Sequence, residues 1–413
     1  MLFDGPTRQT QTRRLALIAV GTLVLTAFGG SGCNPTGGKN HEQWVNQADQ
    51  RYRNLRTGLI LEMARQHFDA GDLENAESAI QDALEIDPTN AKLLTLAARV
   101  KLERGRLERA FHLFNLALEH QPKNPEAHYF QAVVLQRWKR FADAAEGYRT
   151  AYELEADNVG YLIAWAEMLV ETGDTDGAIE LLREREDYFD QSAGLRISLG
   201  QLLLVANRPE KAIPVLEEAA VLAPQETRVQ EDLAMAHAAA GNYGEAISLY
   251  ERLIADLERG ERPDLKRALA EACRAAKQHD RAKALYLELA REHPGSGAWM
   301  SLAEMSFERG DADDVLFAAR RALQADASAH RAYVLMGLVW QQRGNLDEAL
   351  RNYDLAAARS RGDAVPLILR GIALQKAGKH TAAAEAYRQA LDRKPGDARA
   401  TRLLNSLASV PAS

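Results

Sequence analysis

Through most of the chain, apolar residues return at three- and four-residue steps, in blocks of about 13 residues separated by short polar turns. That step is the face period of an α-helix, and hardly any stretch alternates as a half-buried strand would. The turns recur too. Gly71, Gly105, Gly173, Gly241 and Gly344 are each followed five residues later by alanine, at Ala76, Ala110, Ala178, Ala246 and Ala349. Turn positions run 71, 105, 139, 173, 207 and 241, every interval being 34 residues, and continue at 277, 310, 344 and 378. Lys139, Asn207 and Lys277 stand where the other turns have glycine.

Numbering each unit so that the turn falls at position 15 exposes a packing code. Position 8 is small in all ten units, from Ala64 and Ala98 to Gly337 and Gly371. Position 20 is alanine in every unit except the eighth, which has Val315. Position 24 is mostly bulky, as at Phe114, Tyr148, Tyr286, Tyr353 and Tyr387. Position 32 is proline at Pro88, Pro122, Pro224, Pro294 and Pro395. A tight turn between two helices makes them antiparallel. Small residues at 8 and 20 let the backbones approach, and the residue at 24 fills the gap toward the next unit. Proline near the unit's end stops the second helix, because it lacks an N–H and clashes with the preceding turn. One such hairpin cannot bury its apolar face alone, whereas a stack can.

This code resembles the tetratricopeptide repeat (TPR) family, over residues 57–397. The aromatic at position 4 survives at Trp299 and Tyr333, and that at 11 at Trp340. Position 27, small in the family, is Arg185, Leu253 and Leu289 in units four, six and seven, where irregular packing is expected. The resemblance implies an all-α solenoid, a right-handed superhelix of about ten helix-turn-helix repeats with capping helices. Its first helices line a concave groove that binds peptides or partner proteins. Residues 34–56 and 398–413 read as a tether with an N-terminal cap and as a C-terminal cap with a tail.

Residues 1–33 carry a different signal. Arg8, Arg13 and Arg14 precede an apolar run from Leu15 to Phe28, and small residues then lead to Cys33. This is the layout of a secretory signal, and the run is shorter than the roughly 20 residues of a membrane-spanning helix. A cysteine at that point resembles a bacterial lipoprotein signal, although Gly30 stands where that family prefers leucine. The resemblance implies acylation of Cys33 and a membrane anchor at the cell envelope. An uncleaved anchor and an ordinary signal peptide are the alternatives.

Composition narrows the functional classes. The 413 residues carry a formal charge of −7, which disfavours a general nucleic-acid binder. Two cysteines make neither a disulfide framework nor a cysteine-based zinc site. No phosphate loop, GxGxxG turn or GxSxG elbow occurs, and the ten histidines are scattered. No catalytic residue, metal site or cofactor is therefore expected. What remains is the groove. Position 9 drifts from basic, at Arg65 and Arg99, through acidic residues to apolar Leu338 and Ile372. Arg65, Arg99 and Tyr129 mark one end as a candidate partner site. Val334, Leu338, Ile368 and Ile372, with Gln341 and Gln375 beside them, mark the other. That apolar strip is either open for an amphipathic helix or apolar chain end, or closed by tight packing. The favoured reading is an interaction scaffold of the bacterial envelope, possible roles being assembly of pili, secretion or outer-membrane complexes. The competing readings are a carrier or enzyme handling an apolar chain end, and a cytoplasmic regulator.

Overall fold

A computed structural model describes residues 38–255, 262–360 and 362–408, the side chains of 38–42 and 408 excepted. Among the described residues the chain is all-helical, with twenty-one α-helices and no strand. The leader with Cys33 lies outside them. The described residues fall into two compact units, divided between residues 122 and 123. The first holds α1 (Gly38–Asp69), α2 (Leu73–Ile86), α3 (Ala91–Glu103) and α4 (Leu107–His120).

The second unit opens with α5 (Pro125–Arg137), α6 (Phe141–Leu154), α7 (Val159–Glu171), α8 (Thr175–Arg183), α9 (Ala193–Val205) and α10 (Pro209–Leu222). It continues with α11 (Thr227–Ala239), α12 (Tyr243–Ala255), α13 (Pro263–Ala275), α14 (His279–Glu292), α15 (Ser296–Arg309) and α16 (Ala312–Ala325). It ends with α17 (His330–Gln342), α18 (Leu346–Arg359), α19 (Val365–Lys376), α20 (His380–Arg393) and α21 (Ala398–Ala408). Odd-numbered helices from α1 to α19 are the first members of ten hairpins, and α21 caps the last.

All ten turns share one backbone geometry. The residue at each turn position has positive φ, including Lys139 at 59°, Asn207 at 55° and Lys277 at 60°. In each, the next N–H reaches back to the carbonyl five residues earlier, as Arg140 does to Leu135 at 2.9 Å and Gln278 to Cys273 at 2.8 Å. This closure satisfies carbonyls that the helix end leaves orphaned. Side-chain caps start many of the helices, Asp72, Asn90, Asp174, Ser192 and Asn345 accepting from backbone N–H groups three residues on. Each proline at position 32 falls two residues after its second helix ends, for instance Pro88 after Ile86 and Pro395 after Arg393.

The packing follows the small positions. Ala64, Ala98, Ala234 and Ala303 at position 8, and Ala76, Ala110, Ala246 and Ala383 at position 20, have no solvent exposure. The rings of Phe114, Tyr286, Tyr353 and Tyr387 fill the space between. In the second unit one continuous core runs from Tyr152 to Ala332. Free Cys273 is buried in it, and burial pushes its thiol up from the usual range, so it serves as a small hydrophobe.

Two elements depart from the regular plan. Helix α8 stops at Arg183, nine residues long, and Arg185 at position 27 lies beyond its end. In unit seven the packing is regular instead: Leu289 is buried within a full-length α14. At the N-terminus the cap and the first repeat helix run together as the 32-residue α1.

Candidate interaction surface

Within the second unit, first helices of successive hairpins touch one another, α7 with α9, α9 with α11 and α15 with α17. Second helices make no comparable contact among the described residues. The first helices therefore line the inner wall of that unit, and their positions 2, 5, 9 and 12 decide what it presents.

Arg65 and Arg99 belong to the first unit, on the neighbouring helices α1 and α3. Arg65 is exposed. The Arg99 guanidinium lies 4.5 Å from the centre of the Phe68 ring, a cation–π contact that holds it against α1. Tyr129 belongs to the second unit. Its ring meets those of Tyr161 and Tyr148 at 4.8 and 5.2 Å. Burial, and secondarily the Glu167 carboxylate, raise its hydroxyl above the ordinary tyrosine range, so it stays a neutral donor.

At the other end, the strip expected from the sequence is divided. Ile368 is only 3% exposed and sits in a core with Ala357, Leu367, Ala390 and Ala400. It is not a groove residue, because α18, α20 and the cap α21 each bring an alanine up to its side of α19. Val334 is half-buried, Leu338 rests on Ala349 and Tyr353, and Ile372 bridges two core clusters with one side still accessible. Val365 at the start of α19 is 43% exposed. Gln341 and Gln375 have structural partners: each Oε1 accepts from a tyrosine hydroxyl, of Tyr353 and Tyr387 respectively, at 2.8 Å. Gln136 does the same for Tyr148 at 2.7 Å. The sequence signal for this, glutamine at position 12 with tyrosine at 24 of the same unit, was present in units three, nine and ten.

Along the second unit the charges are largely paired to one another. Arg262 donates to both oxygens of Glu231, at 2.9 and 3.0 Å, and to Asp264. Arg274 donates to Glu271 and Glu308, Arg331 pairs with Glu304 at 2.8 Å, and Gln201 donates to Asp232 at 2.6 Å. These hydrogen bonds hold Asp264 and Glu308 below the usual carboxylate range. Met235, at the same position 9, is 49% exposed with no polar role. Among the described residues no group of three or more His, Cys, Asp or Glu is placed to hold a metal ion.

Tetratricopeptide repeat models match residues 67–134, 169–238 and 237–305, then 330–351 and 368–404. Among solved structures, yeast Tom70 is 14% identical, with 86% of this chain and 88% of that one covered and a TM-score of 0.43. The Cut9–Hcn1 hetero-tetramer of APC/C gives 13%, 89%, 94% and 0.37 for the same quantities. The pilF protein of Pseudomonas aeruginosa gives 18%, 60%, 97% and 0.36. With its matched segments together spanning more than half of its length, and ten hairpins sharing one turn and one packing code, the chain belongs to the tetratricopeptide repeat family.

Proposed function

We propose that this protein is a non-enzymatic scaffold that holds a protein or peptide partner against the first-helix wall of its second unit. The observation that carries this is a division of labour on that wall. Its charged groups are largely satisfied by one another, whereas Met235, Val334, Leu338, Val365 and Ile372 keep apolar surface in contact with water. A partner that covers them gains from desolvation without breaking the ion pairs, which suits the apolar face of a helix or an apolar chain end. The leader and Cys33 extend the proposal to the bacterial cell envelope, with the protein anchored there by acyl chains. Each buried CH₂ contributes about 0.8 kcal/mol, so two or three chains anchor stably where one binds only marginally and reversibly.

Photo-crosslinking in cells tests the surface. A benzophenone side chain at Val365 should capture a discrete partner, and one at Val221 should not. Val221 is 79% exposed on the second helix α10 and serves as the control. Equal capture from both positions would remove the first-helix wall from consideration. For the anchor, labelled palmitate should enter the wild type and not Cys33→Ser; equal labelling of the two would exclude lipidation at this residue.

A further inference from the structure

Helix α1 carries an apolar stripe that the described residues leave largely uncovered. Trp44, Val45, Tyr52, Leu55, Leu59 and Met63 are between 45% and 70% exposed. At 3.6 residues per turn these six, with Ala48, fall within an arc of roughly 100°. The residues through which α1 joins its hairpin, Thr57, Ile60 and Ala64, lie on a different side.

The other hairpins show what such a face takes. Leu59 and Met63 occupy positions 3 and 7 of their unit. In several later units the same positions are buried under the second helix of the preceding hairpin, as Leu195 and Leu199 are beside α8 and Val229 and Leu233 beside α10. That helix always runs antiparallel to the first helix it covers. On α1 no described helix fills the slot, and the stripe continues beyond it toward the N-terminus as Val45, Ala48, Tyr52, Leu55 and Leu59. Those 3,4 steps are the seam of a two-helix coiled coil.

We infer that this face is a dimer interface, on which α1 of a second copy lies antiparallel across a two-fold axis near residues 53 and 54. The stripe is self-complementary about that point. Ala48 faces the second copy's Leu59, small against large, and Tyr52 its Leu55, while Trp44 and the second copy's Met63 close each end of the seam at the same level. On the rim, Asp49 of each copy meets Arg56 of the other, giving two opposite-charge pairs. A parallel alignment would instead set Arg51 against Arg56, a like-charge contact. Covering the stripe on both copies removes on the order of 1,000 Å² from water, the size at which specific interfaces begin. The narrow stripe and its rim of both signs favour a helix over a lipid surface, which needs a broad apolar face and a cationic border.

Sedimentation of the full chain in detergent, across a range of concentrations, tests this. The wild type should approach twice the mass of one chain. Leu55→Glu with Leu59→Glu should raise the dissociation constant at least tenfold with an unchanged helical circular dichroism signal, because both residues are exposed. Asp49→Arg should weaken the dimer several-fold, and adding Arg56→Asp should restore it. A monomer at all concentrations overturns the proposal, as does a dimer indifferent to the two glutamates. Failure of the charge swap to restore pairing overturns the antiparallel arrangement. A monomer whose binding to phosphatidylglycerol vesicles is lost with the two glutamates assigns the face to lipid instead.

Discussion

Lys139 and Lys277 hold the left-handed backbone conformation that the other turns assign mostly to glycine. An L-residue with a Cβ carries a penalty of about 1–2 kcal/mol in that region. Neither lysine makes an ion pair among the described residues, and both side chains are exposed, so nothing visible offsets the strain. Glycine removes the penalty but gives the unfolded chain more freedom, which costs about 0.5–1 kcal/mol. The balance for Lys277→Gly or Lys139→Gly is a gain of about 0.5–1 kcal/mol each, with Asn207→Gly gaining less because asparagine tolerates the region better. Since a repeat array need not unfold in one step, the readout should be local. Amide hydrogen exchange in α13 and α14 should slow by about two- to fivefold in Lys277→Gly, because 1.4 kcal/mol is a factor of ten. Gly173→Lys is the reverse control and should speed exchange in α7 and α8. The reasoning fails if Lys277→Gly leaves exchange unchanged or faster, or if Asn207→Gly gains as much as the lysine sites.

Further outcomes follow from packing and from charge. Gly371→Ala should lower the melting temperature, since an added Cβ would lie 2.3 Å from Cε1 of Tyr387, and overpacking of this kind costs about 1–3 kcal/mol. Tyr387→Leu in the same background should recover part of the loss. Ala246→Arg forces a charged chain into a site with no solvent exposure; exchange should rise in units five to seven and far less in units one and two. Burial raises the hydroxyls of Tyr148, Tyr286 and Tyr353 well above the ordinary value near 10. The folded state holds these protons more tightly than the unfolded one, so their contribution to stability is complete below pH 10 and falls above it. Alkaline unfolding should therefore coincide with a cooperative rise in the tyrosinate absorbance that the buried rings contribute, and ionisation of all 12 tyrosines in a still-folded protein would contradict the burial.

Local regularity made much of this legible in the sequence. The 34-residue period located all ten turns, including the three without glycine, because a turn's conformation is set by the hairpin that surrounds it. Small residues at positions 8 and 20 announced the close helix pairs for the same reason. The candidate site was less legible because exposure depends on neighbours outside the repeat. Ile368 and Ile372 share one helix and one apolar character, yet α18, α20 and α21 close over the first and leave part of the second. Gln341 and Gln375 looked like groove amides until the tyrosines twelve residues on claimed them. Nothing in the period distinguishes α1 from later first helices; among the described residues no second helix covers the face that Leu59 and Met63 share.

The uniform turns also bear on how the chain acquires its structure. Side-chain hydrogen bonds between repeats join groups about one repeat apart, as Arg274 and Glu308 are, 34 residues from each other. Nearly every stabilising contact is thus complete once one hairpin and its successor exist. Chains with such short-range contacts search little conformational space and fold fast for their length. On the ribosome, each unit can close soon after its second helix emerges and then serve as the template for the next. A break in one unit stalls that progression at a defined place, leaving a structured segment before it rather than a wholly unfolded chain.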